Sequence, residues 1–519
     1  MSVAQARAVV AERLAGREAN LLRTLRGAIF GHRPSPYRQL FEWAGCELGD
    51  VERMLRADGV DASLGALHGA GVHVSFEEFK GRRPIVRGGR ELAVGDRDFD
   101  NPLVRGGLPS GSSGTTGAPS KSYHDLGHIL ETVPFRLLSA EAHGMRGAPT
   151  AFWFSPPPSI AGINSALSGV VMGYPPERWW APTDGDERPP LRQRVATRSF
   201  LALARLHGVR FPTPEALPLE RPEAIVEWAA AALARAGRCE IRAFASTAMR
   251  IARAASELGV DLTGARIVCG GEAASPAKQR VIEACGARMI SFYGIAECGP
   301  IGMTCPAAGD ARDLHVSTDR MAVVERPVAL ADWGLSVPGL FLTSLLPGSP
   351  KVMLNVESDD CGVLERRACG CAFERWGLGA HLRDVRSYRR LTAEGVTLVP
   401  EPARRALEEL LPARFGGTPL DYQLREEEGP DGLSRVSLLV SPEVELDGEE
   451  LVANALLDAL GAGDAPAAAA ARFWRHAGSL RVLRERPLVT AGGKQLPIVV
   501  AGLGSRPTPS SPRPAGGPA

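Results

Sequence analysis

The residues from Leu108 to Ser122, LPSGSSGTTGAPSKS, are of the types that can bind phosphate groups. Eight of these fifteen residues are Gly, Ser or Thr between Pro109 and Pro119. Such a backbone can approach an anion closely, so that its N–H groups and the hydroxyls converge on phosphate oxygens. The flanking sequences LVRGGL and HDLGHILETV favour a strand before the loop and a helix that starts near the phosphates. The spacing is not that of a Walker loop, and alone the stretch is typical of a flexible linker.

Four short motifs follow the loop in a fixed order: GGE (Gly270–Glu272), YGIAE (Tyr293–Glu297), SDDCG (Ser358–Gly362) and TAGGKQ (Thr490–Gln495). Each motif alone is also consistent with a structural feature that has no catalytic role, such as a polar turn or a solvent-exposed charged side chain. Together with the loop, they resemble the adenylate-forming superfamily of acyl- and aryl-CoA ligases, luciferases and adenylation domains. The resemblance covers roughly residues 100–500 and is nearest to the branch of phenylacetate–CoA ligases and acyl-protein synthetases.

The resemblance implies that ATP and a carboxylic acid give an acyl-adenylate and pyrophosphate, after which a second nucleophile takes the acyl group. Glu297 would coordinate Mg²⁺, Asp360 would accept hydrogen bonds from the ribose hydroxyls, and Lys494 would bridge the carboxylate and the α-phosphate. Thr115 and Thr116 complete the expected catalytic set. The residues expected to bind ATP are Ser112, Ser113, Gly114, Gly117, Gly271, Glu272, Tyr293, Gly294, Asp360 and Arg386.

The sequence departs from the family pattern at several positions. Ser120 stands where a lysine usually follows the proline of the loop, and the lysine is Lys121. Ala296 replaces a threonine, which removes a hydroxyl expected near the α-phosphate. The hinge sequence VRSYR keeps Arg386 but loses the usual acidic residues. These departures leave open a second interpretation, a non-catalytic homologue that binds a nucleotide or a partner.

The resemblance predicts a hydrophobic or aromatic acid and an external acyl acceptor. Only 25 residues follow Lys494, so we expect no carrier domain in this chain. CoA is the expected acceptor, with a separate carrier protein, an amine or a protein cysteine as alternatives. The pocket for the acid is predicted from Phe152–Ser155, Ser165–Gly169, Ala245-Ser246, Gly270–Glu272 and Ser291–Tyr293.

Three cysteines and one histidine form a second constellation. Cys369 and Cys371 are two residues apart, and Cys305 and His315 lie more than fifty residues earlier in the chain. A Cys₃His set suits tetrahedral structural zinc, and the phenylacetate–CoA ligase branch has a similar arrangement that binds zinc in some members. The alternative is a scatter of reduced, buried thiols. If one ligand is wrong, Cys298 and Cys361 are the expected substitutes.

Composition limits the remaining possibilities. With 44% apolar and 23% charged residues, and with 60 Lys and Arg against 59 Asp and Glu, the chain has the profile of a globular protein, and we expect neither nucleic acid nor a membrane as partner. The N-terminal sequence lacks a signal-peptide core, so we expect a cytoplasmic location. Nine cysteines fit reduced thiols or a metal site better than disulfides.

Strand-like and helix-like segments alternate after the loop, which predicts an α/β protein with a large α/β domain and a small, mobile α+β domain. We expect a mostly helical part over 1–95, an adenylate-forming core over 96–385, a small domain with the catalytic lysine over 386–505, and a disordered tail over 506–519. In such a sheet the ligand crevice lies beyond the carboxyl ends of the strands.

Overall fold

The computed structural model describes most of the chain. The described residues are 1–104, 106–111, 121–157, 159–183, 191–330, 335–387, 391–393, 396–398, 400–428, 434–463, 468, 471–472, 474–475, 480–490, 493–500 and 505–507. Within these ranges no helix is both long and apolar enough to cross a membrane.

The N-terminal part is mostly helical, as its apolar spacing predicts. The first helix begins at Ser2, whose hydroxyl accepts a hydrogen bond from the backbone N–H of Gln5 at 3.2 Å and so caps the helix. Apolar side chains of this part pack into one buried core with strands of the large sheet. The elements are α1 (Val3–Ala15), α2 (Arg17–Thr24), a π-helix (Leu25–Phe30), α3 (Pro36–Trp43), α4 (Leu48–Gly69), α5 (Phe76–Phe79), the hairpin β1 (Ile85–Arg87) and β2 (Arg90–Leu92), and a 3-10 helix (Asp96–Phe99).

The described part of the phosphate-binding stretch differs from the expected strand–loop–helix unit. The strands β3 (Leu108–Gly111) and β4 (Lys121–His124) flank the loop and pair antiparallel. Helix α6 (Leu126–Ala142) then starts after Asp125, whose carboxylate caps it. The loop therefore connects two strands, and its second strand separates it from the helix.

A twelve-stranded sheet organises the centre of the molecule. Six of its strands are parallel, in the order β7-β6-β5-β8-β9-β10, and each is joined to the next along the chain through a helix or a turn. These elements are β5 (Thr150–Trp153), α7 (Ile160–Met172), β6 (Arg178–Thr183), α8 (Leu191–Leu206), β7 (Glu215–Pro218), α9 (Glu223–Ala236), β8 (Cys239–Ala243), α10 (Ala245–Glu257), β9 (Ala265–Gly270), α11 (Pro276–Glu283) and β10 (Arg288–Ile295).

Strand β10 is where the sheet changes direction. It pairs parallel with β9 on one side and antiparallel with the next strand on the other, and the register shifts between Tyr293 and Gly294. A shift of this kind re-aims the backbone next to a site. The antiparallel half, in the order β13-β14-β15-β16-β12-β11, consists of β11 (Gly299–Thr304), β12 (Leu314–Val316), β13 (Met321–Leu330), β14 (Leu335–Ser344), β15 (Val356–Arg366), the short α12 (Ala372–Arg375) and β16 (Ala380–Ser387).

The C-terminal part has a sheet and a core of its own. The sheet has the order β21-β20-β19-β23, and Leu424, Leu438 and Trp474 belong to its buried core. This agrees with the predicted small α+β unit, although the exact domain boundaries stay a prediction. The elements are β17 (Leu391–Ala393), β18 (Val396–Leu398), α13 (Pro400–Arg405), a π-helix (Ala406–Leu410), α14 (Leu411–Phe415), a 3-10 helix (Pro419–Asp421), β19 (Tyr422–Glu428), β20 (Ser434–Val440), α15 (Glu449–Gly461), β21 (Arg481–Leu483), β22 (Leu488–Thr490), β23 (Ile498–Val500) and β24 (Ser505–Pro507).

Candidate active site

A cavity of about 540 Å³ lies at the carboxyl ends of three neighbouring parallel strands. Phe244, Gly271 and Ala296 directly follow β8, β9 and β10, and all three line the cavity. This is where an open α/β sheet binds its ligands. Five residues of the predicted site line it together, although they come from four separate motifs: Gly271, Gly294, Glu297, Asp360 and Lys494.

Asp360 is held by a tyrosine from the neighbouring motif. The hydroxyl of Tyr293 donates a hydrogen bond to Oδ2 of Asp360 at 2.8 Å. Burial, with the nearby Asp360 carboxylate, raises the pKa of Tyr293, so the hydroxyl keeps its proton. Tyr293 was predicted to bind ATP, which stays a prediction; the structure adds its hydrogen bond to Asp360, the expected ribose acceptor. Asp359, the preceding residue, also lines the cavity and is half-buried.

Arg386 lies on the strand next to Asp360. Its backbone pairs with that of Cys361, one residue after Asp360. Its Nη1 donates a hydrogen bond to the carbonyl of Asp384 at 3.1 Å. Arg386 is therefore close to the predicted ribose site along the sheet, but it is not among the residues that line the cavity.

Glu297 is buried and forms an ion pair that the sequence did not suggest. Nζ of Lys80 lies 2.6 Å from Oε1 of Glu297, and the Glu297 residue is 4% exposed. Nζ of Lys80 also lies 5.3 and 5.8 Å from the ring centroids of Phe76 and Phe79. A carboxylate at a cavity wall is a ligand type that Mg²⁺ accepts. Lys80 therefore forms an ion pair with the same Glu297 carboxylate that was predicted to coordinate Mg²⁺.

Lys494 reaches the cavity from the C-terminal part of the chain. Its Nζ lies 4.7 Å from the ring centroid of Phe244, a cation–π distance. Gly271 has φ +74°, a conformation that strains other residues, and a Cβ atom there would lie 2.7 Å from this Nζ, so a side chain at this position would also displace the end of the lysine. Burial lowers the pKa of Lys494, and Glu272 acts in the opposite direction.

The loop around Lys494 is fastened to helix α10. The backbone N–H of Gln495 donates to Oγ of Ser246 at 3.0 Å, and Arg250 donates to Oε1 of Gln495 at 3.1 Å. Ser246 in turn donates to Oε1 of Glu272 at 2.6 Å. Glu272 therefore supports the loop that carries Lys494, and it is not among the cavity-lining residues.

The predicted phosphate-binding residues lie outside the described residues. These are Ser112, Ser113, Gly114, Thr115, Thr116 and Gly117. The strand that leaves the loop ends at His124, which lines the cavity. Burial lowers the pKa of His124 to about 4, so its imidazole is neutral at pH 7. The roles of the loop residues stay predictions.

The cavity wall also carries charged residues that were not predicted from the sequence. Arg136 from α6 and both Glu240 and Arg242 from β8 line it. Nε of Arg242 lies 2.5 Å from Oε1 of Glu240, and both residues are buried. Strand β8 has parallel neighbours on both sides, where a continuous apolar run is expected. The charged residues in its sequence, CEIRA, therefore indicated that this strand has a role besides packing in the core.

The four predicted zinc ligands come together at one point beside the antiparallel half of the sheet. Candidate ligand atoms of Cys305, His315, Cys369 and Cys371 all lie within 4.8 Å of one another. Nε2 of His315 is 3.1 Å from Sγ of Cys371, and its Nδ1 donates to the carbonyl of Leu378 at 2.7 Å. That hydrogen bond leaves Nε2 free to act as a ligand, which is the usual arrangement of a metal-binding histidine.

Neither predicted substitute cysteine joins this cluster. Sγ of Cys298 lies 3.9 Å from the carbonyl of Gly299, and Sγ of Cys361 lies 3.4 Å from that of Arg386. Among the described residues, the other group with metal-ligand spacing shares Cys305 with Asp313 and His381. Asp313 already accepts a hydrogen bond from Nδ1 of His381 at 2.8 Å. The Cys₃His set is therefore the better tetrahedral candidate.

Comparisons with known proteins identify the fold. No protein-family model and no curated protein sequence matches the chain. Among solved structures, it is similar to 2-hydroxyisobutyryl-CoA ligase in the postadenylation state in complex with 2-HIB-AMP, with a TM-score of 0.54, 14% identity, and coverage of 95% of this chain and 90% of that chain. The same ligase in complex with R3-HIB-AMP gives the same values. The chain therefore has the fold of this CoA ligase, in agreement with the fold that the resemblance of its motifs predicted.

Proposed function

We propose that this chain is an adenylate-forming ligase, which activates a carboxylic acid with ATP and passes the acyl group to an external acceptor. The observation that carries this proposal is the convergence of Glu297, Asp360 and Lys494 on one cavity. These residues are far apart in the sequence, and each has a chemistry that a different part of the reaction needs. A fold alone would not support an activity, but a fold together with this set of side chains does.

Each of these side chains has a separate task in the proposed reaction. Asp360, oriented by Tyr293, accepts hydrogen bonds from the ribose and so positions the nucleotide. Lys494 lies between the acid carboxylate and the α-phosphate and offsets the negative charge that develops there. The bond that forms joins the carboxylate oxygen to the α-phosphorus, and the bond that breaks releases pyrophosphate.

Glu297 is the residue that would hold Mg²⁺, together with phosphate oxygens of the nucleotide. When bound, Mg²⁺ would neutralise charge on the leaving pyrophosphate. The ammonium group of Lys80 keeps the buried Glu297 carboxylate compensated before the nucleotide arrives, because a buried charge without a partner is costly. The loop over 112–117 is expected to hold the β- and γ-phosphates.

We propose CoA as the acyl acceptor. We also propose that the acid has an apolar or aromatic body. The apolar part of the cavity supports the second point, since Phe154, Phe244, Phe292 and Met303 line it. A separate carrier protein, an amine or a protein cysteine is the alternative acceptor. We also propose a cytoplasmic enzyme.

A non-catalytic nucleotide-binding protein is the second candidate. Two observations favour it: Ala296 lacks the hydroxyl of the family threonine, and Lys80 already neutralises Glu297 at 2.6 Å. Such a protein would bind ATP without turning it over.

Acid-dependent exchange of pyrophosphate into ATP separates the two candidates. The full chain is incubated with ATP, Mg²⁺, labelled pyrophosphate and a panel of carboxylic acids, and acyl-adenylate is measured by mass spectrometry. A ligase incorporates label only when an acid is present. ATP binding without exchange for any acid would favour the non-catalytic protein. CoA is then added, and thioester formation tests the acceptor.

We further propose that the Cys₃His cluster binds structural zinc. Four protein ligands leave no open coordination position, so the metal would fasten two loops and take no part in the reaction. Burial lowers the pKa of His315 to about 4, which keeps its imidazole in the neutral, metal-binding form.

A further inference from the structure

Arg136 is a cation on the cavity wall that has no hydrogen-bond acceptor in the described part of the chain. Among the described residues, no carbonyl, hydroxyl or carboxylate accepts a hydrogen bond from its guanidinium group, and its Nε is buried and unpartnered. The group lies over the ring of Phe292, 5.0 Å from the ring centroid. A guanidinium normally occupies its donors with carboxylate or carbonyl oxygens when it leaves water. Among the residues that the structure describes, its guanidinium group therefore has no oxygen partner.

The charges around Arg136 are unbalanced. Glu240 is the neighbouring carboxylate, but it already pairs with Arg242 at 2.5 Å. Burial, followed by the nearby charges of Arg242 and Arg320, lowers the pKa of Arg136 to about 9, and Glu240 acts in the opposite direction. His143, which lines the same wall, is neutral at pH 7 because burial lowers its pKa to about 4. At pH 7 this wall therefore carries an excess of positive charge.

Gly271, Gly270 and Phe292 connect Lys494 to Arg136 through a series of short distances. A Cβ at Gly271 would lie 2.7 Å from Nζ of Lys494, and a Cβ at Gly270 would lie 2.8 Å from the ring of Phe292. Arg136 lies on that same ring. A ligand whose reacting carboxylate is at Lys494 would therefore pass over the glycines and Phe292 before it reaches Arg136.

We propose that the acid activated at this site is a dicarboxylic acid with an apolar body, whose second carboxylate binds Arg136. This inference rests on the proposed function, because Lys494 is taken as the position of the reacting carboxylate. The second carboxylate supplies the acceptor that Arg136 lacks and balances the excess charge of the wall. An acid with a neutral far end would leave the guanidinium buried and unpaired.

Matched pairs of acids test this proposal. Pyrophosphate exchange is compared for phenylacetate and 4-carboxyphenylacetate and for hexanoate and adipate, and the quantity measured is kcat/KM of the diacid divided by that of its monoacid. We expect a ratio of about ten or more in at least one pair, since a charge-assisted interaction of about 1.4 kcal/mol gives a factor of ten. A wild-type protein that uses monoacids and discriminates against both diacids would overturn the proposal.

The variants Arg136→Met and Arg136→Lys test whether the preference for diacids over monoacids depends on Arg136. We expect Arg136→Met to lower the ratio by about tenfold or more, and Arg136→Lys to lower it less because the charge remains. Replacing a buried charge by an apolar side chain is often neutral or stabilising, and thermal unfolding checks that Arg136→Met folds. Arg146→Met, the same change at an exposed arginine, should leave the ratio unchanged. An unaltered ratio in folded Arg136→Met would refute the assignment.

Direct binding separates failure of this inference from failure of the proposed function. Adipate and 4-carboxyphenylacetate are titrated calorimetrically onto the wild-type chain and onto Arg136→Met. Binding that depends on Arg136 without any exchange would retain the diacid site and reject the ligase. Exchange with monoacids, together with diacid binding that is absent or independent of Arg136, would reject the diacid site and retain the ligase.

Discussion

The cavity and the Cys₃His cluster are both built from buried polar side chains, but the two regions hold these side chains in different ways. Both collect polar side chains from distant parts of the chain and bury them. In the cavity, Lys494 and Arg136 both line the wall, and burial lowers the pKa of each. In the cluster, His315 is fixed by the carbonyl of Leu378 and its other nitrogen faces the sulfur of Cys371.

This difference indicates what each region is for. A buried charge such as Arg136, which has no oxygen partner among the described residues, costs stability, and such groups occur where a ligand completes them. A closed set of four ligands gains stability from one ion that does not leave. Changes in the cavity should therefore lower activity and spare the fold, whereas changes in the cluster should lower the stability and spare the chemistry of the folded molecules.

Lys494→Ala should have the largest effect on activity. Because this lysine is proposed to act only where the carboxylate meets the α-phosphate, acid-dependent pyrophosphate exchange should fall by roughly 10²–10³-fold, the cost of losing one preorganised charge-stabilising group. Thermal unfolding should change little.

The matched control for Lys494→Ala is the second half-reaction. Supplied acyl-adenylate should still be consumed by CoA, since that step does not join the acid to the nucleotide. Exchange at the wild-type rate would show that the lysine is misassigned. A large loss of stability would contradict the expectation that changes in the cavity spare the fold.

Cys371→Ser should have the largest effect on stability. Zinc content, measured on protein purified without added metal, should fall from about one per chain, and the unfolding temperature should fall by several degrees because metal-binding energy is folding energy. Cys285→Ser is the control, since Cys285 and Cys371 are both 6% exposed and only Cys371 is in the cluster. Equal losses for the two variants, or a metal-free wild-type protein, would reject the zinc site.

The convergence of Glu297, Asp360 and Lys494 on one cavity could be predicted because these residue types occur in a recognisable order. Glu297, Asp360 and Lys494 are each unremarkable alone, but their sequence order implied one site, and the structure brings them to one cavity. The alternation of strands and helices likewise predicted the parallel half of the sheet, with its ligand crevice at the strand ends.

Other charged residues of the cavity wall could not be predicted in the same way. Arg136 lies in an amphipathic helix, where an arginine usually covers the surface and not a cavity. Lys80 lies more than two hundred residues from its partner Glu297, and no local pattern links them. The charged residues of the sequence CEIRA can be seen in the sequence. Only the strand order shows that this strand lies between two parallel neighbours, where charged residues are unusual.

Asp360→Asn should have an intermediate effect, confined to the nucleotide. Removing the charge weakens two charge-assisted hydrogen bonds, so the ATP affinity should fall by about tenfold or more while the acid affinity changes much less. Asp359→Asn is the control: Asp359 has φ +65°, a conformation that asparagine also tolerates. Titration of both variants with ATP decides the matter, since equal losses would indicate only a polar loop.

Tyr293→Phe should have the smallest effect, and it tests whether Asp360 depends on its neighbour for orientation. The change removes the hydroxyl that donates to Oδ2 of Asp360 at 2.8 Å and keeps the ring. Losing one hydrogen bond of this kind costs about 0.5–1.5 kcal/mol, so ATP affinity should fall about two- to tenfold. If Tyr293 acts through Asp360, the change should add little to Asp360→Asn in the double variant, because residues in one network are not additive. Additive losses in ATP titrations would instead mean that Tyr293 contacts the nucleotide itself, as the sequence motif predicted.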